Sequence, residues 1–156
     1  MKNISFLFSF LFVLSCSNDS TDDITTPPGP DYEVWTGANI TFIKAPNTDA
    51  GDAANQDRIT SNVAITRGTS GGEIFNAVSE SDATENVSPR GTKWAVGNIS
   101  DVESLSFSSF RSAVGKPKNV VGKNLVMHIE ADNVYLSVKF LSWASSQSGG
   151  FSYERS

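Results

Sequence analysis

The chain has one cysteine (Cys16) and one histidine (His128), and only 19% of its residues are charged. A lone cysteine cannot form a disulfide within the chain. One histidine and one cysteine serve zinc poorly, since structural zinc sites use four such ligands. A Ser-His-acid triad would rest entirely on His128, and no Gly-x-Ser-x-Gly elbow accompanies it. Positive charge is also scarce. Lys and Arg number 12 against 17 Asp and Glu, for a net charge of −5. The longest basic cluster is Lys116-Pro117-Lys118. Nucleic-acid binding needs concentrated positive charge to displace counterions, so it is set aside. Past the N-terminus, no window sustains apolar residues at i, i+3, i+4 and i+7, which argues against a helical protein.

The 156 residues have room for one domain and a short tail, and 38% hydrophobic content supplies a core. The abundant Ser, Thr, Asn and Gly suit a β-protein with many polar turns.

The N-terminus reads MKNISFLFSFLFVLSC. Lys2 is a minimal positive n-region, and Ile4 to Leu14 forms an apolar h-region too short to span a bilayer. Residues 1–15 therefore read as a signal peptide. Val13-Leu14-Ser15-Cys16 resembles the lipobox of bacterial lipoproteins. The resemblance implies cleavage before Cys16, thioether lipidation of its sulfur and acylation of the new terminus. Several acyl chains anchor stably where one alone binds marginally. Residues 16–30 read as a tether, with acidic Asp19, Asp22 and Asp23 near the anchor and Pro27, Pro28 and Pro30 before the domain. Acidic residues just beyond such a cysteine resemble the surface-export signal of Bacteroidota lipoproteins. The implied location is the outer membrane, facing the cell surface, with the periplasmic leaflet as the alternative.

Residues 31–156 read as one all-β domain, an antiparallel β-sandwich, with a small β-barrel as the alternative. Leu125, Met127 and Ile129 alternate with polar positions, Ala131-Asp132-Asn133 turns the chain, and Val134, Leu136, Val138 and Phe140 resume the alternation. This is a hairpin with one apolar face. Leu141 and Trp143 break parity, which calls for a bulge near Phe140 or burial of both faces. Ser145 to Gly150 reads as a flexible turn, and Phe151-Ser152-Tyr153 as a last strand. Earlier strands are expected at 34–35, 40–44, 59–66, 74–78 and 93–96. Arg67 to Gly72 reads as a hairpin loop. Residues 104–114 fit either a strand or a short helix.

Asn55-Gln56-Asp57-Arg58-Ile59-Thr60, Val63-Ala64-Ile65-Thr66-Arg67, Gly91-Thr92-Lys93-Trp94-Ala95 and the tail Gly149-Gly150-Phe151-Ser152-Tyr153-Glu154-Arg155-Ser156 resemble a group of uncharacterised secreted bacterial proteins. That group ends in a Trp, a Gly run and a Phe-Ser-Tyr-x-Arg-Ser tail, and the likeness implies no activity.

Three sets of residues are candidates for chemistry. Asp49, Asp52, Asn55 and Asp57 place four oxygen ligands around Gly51, a pattern that could wrap calcium, although it lacks the spacing of an EF-hand. Without calcium the sequence implies no cofactor. Trp143 and Trp94, with Trp35, could offer flat faces to a sugar, although Trp in a small sandwich more often packs. Glu73, Glu80, Asp101, Glu103 and Glu130 could pair across a glycosidase cleft, which needs two carboxylates at a set separation. The resulting expectation is a lipid-anchored envelope protein with a non-catalytic binding or structural domain. Its partners are the membrane, through the anchor, and a glycan or envelope protein. The alternatives are a small hydrolase acting on polysaccharide and a subunit of an envelope assembly.

Overall fold

The computed structural model describes residues 31–156, so the signal peptide, the tether and Cys16 lie outside the described residues. The late hairpin organises the rest. β7 (Asn124–Ile129) and β8 (Val134–Trp143) pair antiparallel from Ile129 opposite Val134 to Asn124 opposite Lys139. Asn133 closes the turn at φ 48°, a left-handed conformation that Asn adopts more readily than most residues. Leu125, Met127, Ile129, Leu136, Val138 and Phe140 are buried on one face, as their alternation requires.

Between Phe140 and Ser142 the pairing of β8 with β9 (Phe151–Arg155) slips register, the expected bulge. The extra residue is Leu141, 43% exposed, and the slip returns Trp143 to the side of Phe140, with ring centroids 5.7 Å apart. Beyond β9 lies β2 (Ile40–Lys44), and beyond β7 lies β6 (Thr92–Val96), giving the order β2-β9-β8-β7-β6. β1 (Glu33–Val34) runs parallel to the start of β8, along the stretch of its edge that β9 does not reach.

A second antiparallel sheet contains β3 (Asp57–Arg58), β4 (Ala64–Thr66) and β5 (Phe75–Asn76). Of the single strand expected at 59–66, only Ala64–Thr66 is a strand, and the residues before it turn the chain back from β3. Thr60, Ser61 and Asn62 turn the chain, and the Asp132 carboxylate holds that turn by accepting from Thr60 Oγ1 and Asn62 Nδ2, both at 2.7 Å. The loop from Arg67 to Gly72 does join two antiparallel strands. One core spans both sheets, with Ile65 of the small sheet and Ile59, Val63 and Ile74 beside its strands meeting Trp94, Phe110, Phe140 and Phe151. The architecture is an all-β sandwich, and the large sheet ends at β2 and β6 without closing into a barrel.

The ambiguous stretch 104–114 divides. Ser108 exchanges two backbone hydrogen bonds of 2.9 Å with Trp94 and so covers the outer edge of β6. α1 (Phe110–Val114) follows, capped by Ser109 and ended by Gly115 at φ 86°. A 3₁₀ segment, Ile99–Ser104, lies against β7 and β8. It accounts for the burial of Ala95 and Val126, whose parity points away from the core.

Candidate functional site

The outer face of the large sheet holds a groove of about 570 Å³. That volume falls within the range of small-ligand sites. Its floor is a cross-strand row: Thr41 opposite Glu154, Glu154 opposite Lys139, and Lys139 opposite Asn124. Beside that row, Ser137 pairs with Ser156 through two backbone bonds of 2.9 and 3.1 Å. Ile99 and Ser100 of the 3₁₀ segment wall one side. Asn124 Nδ2 donates to Asn98 Oδ1 at 3.0 Å. Lys139 and Glu154 are cross-strand neighbours, yet neither enters an ion pair among the described residues. Both side chains are exposed, and so is Thr41. The floor thus offers an uncommitted ammonium, a carboxylate and a hydroxyl in one row. Glu154 is the only carboxylic side chain lining the groove, so the two-carboxylate arrangement of a glycosidase is not met there.

On the far side of the 3₁₀ segment, the same face carries an aromatic cluster. His128 stacks on Tyr135 at 4.1 Å and 3°, and Tyr32 and Phe107 meet Tyr135 edge-on at 5.2 and 5.4 Å. His128 is thus a half-buried strand residue, with Nε2 3.1 Å from Asn133 Oδ1.

The four oxygen ligands expected for calcium do not converge. Asp49 accepts from Gly51 N at 2.8 Å, Asp52 caps a short 3₁₀ turn through Ala54 N at 3.0 Å, and Asn55 Nδ2 donates to Asp49 O at 2.8 Å. Asp57 faces the core, bound to Arg155 and Tyr153. No cluster of three or more His, Cys, Asp or Glu among the described residues could hold a metal ion. Trp94 also departs from its expected role. It is fully buried, its Nε1 donates to Thr92 Oγ1 at 2.9 Å, and it presents no face to a sugar. Trp143 is half-buried, and the Arg67 guanidinium lies 4.1 Å over its ring. Trp35 packs against the core, with Arg155 5.2 Å over its ring. The carboxylates are dispersed. Glu73 is buried against Arg111 at 2.5 Å, Glu80 accepts from Asn76 N and Arg90 N, and Glu130 pairs with Lys93 at 2.7 Å. Asp101 and Glu103 are exposed on the 3₁₀ segment.

Buried polar links join the two sheets, one of them at Arg155 beneath the groove. Arg155 Nε and Nη2 grip the Asp57 carboxylate at 2.7 and 3.1 Å, and the Tyr153 hydroxyl donates to it at 2.5 Å. Burial, then the Asp57 charge, pushes the Tyr153 hydroxyl well above the usual tyrosine range. Arg67 Nη1 donates to the carbonyls of Ala144 and Gly150 at 3.0 and 2.9 Å. Burial lowers the Arg67 guanidinium to about 10, and Glu73 acts the other way. Lys44 is lowered by burial and by Arg67, and its ammonium donates to Thr48 O at 2.8 Å. Apart from Asp57, read as a calcium ligand, none of these residues stood out as functional in the sequence. The available signal was parity: Arg155 shares the buried side of Phe151 and Tyr153, and a buried arginine needs a carboxylate.

No protein-family model matches the chain, and neither a curated protein nor a solved structure matches it.

Proposed function

We propose that the chain is an exported lipoprotein, anchored through Cys16, whose β-sandwich binds a polar ligand in the groove of its outer sheet face. The observation that carries this reading is the uncommitted row of Thr41, Glu154 and Lys139 on the groove floor. Polar side chains on a strand face normally find either solvent alone or each other. Here a trough of ligand size gathers them beside a wall. Binding fits better than hydrolysis, because the lining supplies a single carboxylic side chain and no histidine.

Thermal melts of the mature chain with a panel of extracellular polymers test the reading. A ligand bound only by the folded state raises stability by about 2.7 kcal/mol at a hundredfold excess over its dissociation constant. Thr41→Trp, which puts an indole into the groove at the β2 margin, is expected to abolish the rise. No rise with any polymer, or a rise that survives Thr41→Trp, would count against the groove.

A further inference from the structure

We infer that the groove takes a neutral, hydroxyl-rich glycan, with Lys139 and Glu154 clasping adjacent hydroxyls; this rests on the binding reading above. The argument begins with the charges. Lys139 and Glu154 sit opposite each other in the β8–β9 ladder, so the side chains of the groove floor carry both signs rather than one. A surface meant for an acidic or basic polymer would concentrate one sign.

Hydrogen-bonding capacity points the same way. An ammonium only donates and a carboxylate only accepts, whereas a hydroxyl does both. Directly opposed residues in an antiparallel pair have Cβ atoms about 5 Å apart. Two neighbouring hydroxyls of a sugar ring can therefore bridge them, one accepting from Lys139 and the other donating to Glu154. The hydroxyls of Thr41 and Ser137 and the Asn124 side chain extend the pattern over four strands. Four strands span about 14 Å at the usual spacing, which suits a short run of sugar units lying across the sheet. Ile99 and the aliphatic stems of the row add apolar contact for the carbon faces of the rings.

Electrophoresis of the mature protein through native gels containing glucan, galactomannan or xylan, with polygalacturonate as the acidic comparison, tests this. Retardation by at least one neutral polymer is expected. Lys139→Met and Glu154→Gln change exposed side chains, and each is expected to weaken retardation roughly tenfold, the effect of one charged hydrogen bond. Absence of retardation in every neutral gel would overturn the inference, as would retardation unchanged in the Lys139→Met/Glu154→Gln double variant. Retardation by polygalacturonate alone, lost in Thr41→Trp, would overturn the neutral-glycan assignment while leaving the groove as the binding site.

Discussion

Asp57 belongs to β3 and Arg155 to β9, so their ion pair ties the small sheet to the large one at a point where both side chains are at least 90% buried. Breaking such a pair from one side leaves a buried charge without a partner, which typically costs about 3–5 kcal/mol. Asp57→Ala is therefore expected to lower the urea midpoint strongly, since it also strips the Tyr153 hydroxyl of its acceptor. Replacing both charges, as in Asp57→Leu/Arg155→Met, is expected to restore much of the loss. A double variant no better than the single one would show that the pair's geometry, not the orphaned charge, sets the cost. Tyr153 leads to a second prediction. Its folded pKa is raised, so the stabilisation it brings is complete below about pH 10 and is lost above it, where only the unfolded chain releases the proton. Lys44 and Arg67 act in the opposite sense, because their lowered folded values mean that the unfolded chain holds more protons. Absorbance titration should therefore show one of the three tyrosines ionising only as the protein unfolds. Tyr153→Phe should remove that abrupt step, and a smooth titration of all three in the parent would contradict the assignment.

Strands with period-two alternation were readable in the sequence, and turns were readable only when they broke that period. The β7–β8 hairpin has one apolar face and a turn of Asp132 and Asn133, so its register was accessible, as was the bulge of β8 against β9. Residues 59–66 were misread because Ile59, Val63 and Ile65 keep the same parity across the tight turn at Thr60–Asn62. The site was less legible still. The groove depends on which strands lie side by side, and Thr41, Glu154, Lys139 and Asn124 come from four separate stretches of chain. The Ser145–Ser148 turn carries a prediction at this scale. It read as a turn, and it is one, with Ser148 N donating to Ser145 O at 3.3 Å before the buried Gly149 and Gly150. Ser146 and Gln147 stand at φ 57° and 58°, the pair of left-handed residues that a type I′ turn demands and that Asn-Gly fills best. Ser146→Asn/Gln147→Gly is expected to raise the melting midpoint, by about 1 kcal/mol of stability. A lowered midpoint would mean that the side chains of Ser146 and Gln147 contribute more than their backbone strain costs.

The whole molecule has a direction, set by where the chain enters the sandwich. Asp31 is held at the β7–β8 turn, its carbonyl accepting from Asn133 Nδ2 at 2.5 Å, and Tyr32 packs edge-on against Tyr135. The turn at Ser145–Ser148 lies past the opposite end of β8, and a ten-residue strand measures about 33 Å. The groove floor at Ser137 and Lys139 falls between these ends, on the same face as Tyr135. An anchor at Cys16 would therefore attach near the hairpin end and leave the groove accessible along the side of the domain, with at most roughly 50 Å of chain between the lipid and Asp31. This makes anchoring and binding separable. Cys16→Ala is expected to abolish incorporation of labelled fatty acid and to move the protein from the membrane fraction to the soluble one, because a polar domain without acyl chains has no comparable membrane affinity. The same variant should shift its melting midpoint with groove ligands as the parent does, since none of the groove residues lies near the tether in sequence. Label retained on Cys16→Ala would refute the anchor. A lost ligand response in a variant that still folds would show that the membrane-proximal chain takes part in binding, and the groove alone would no longer suffice.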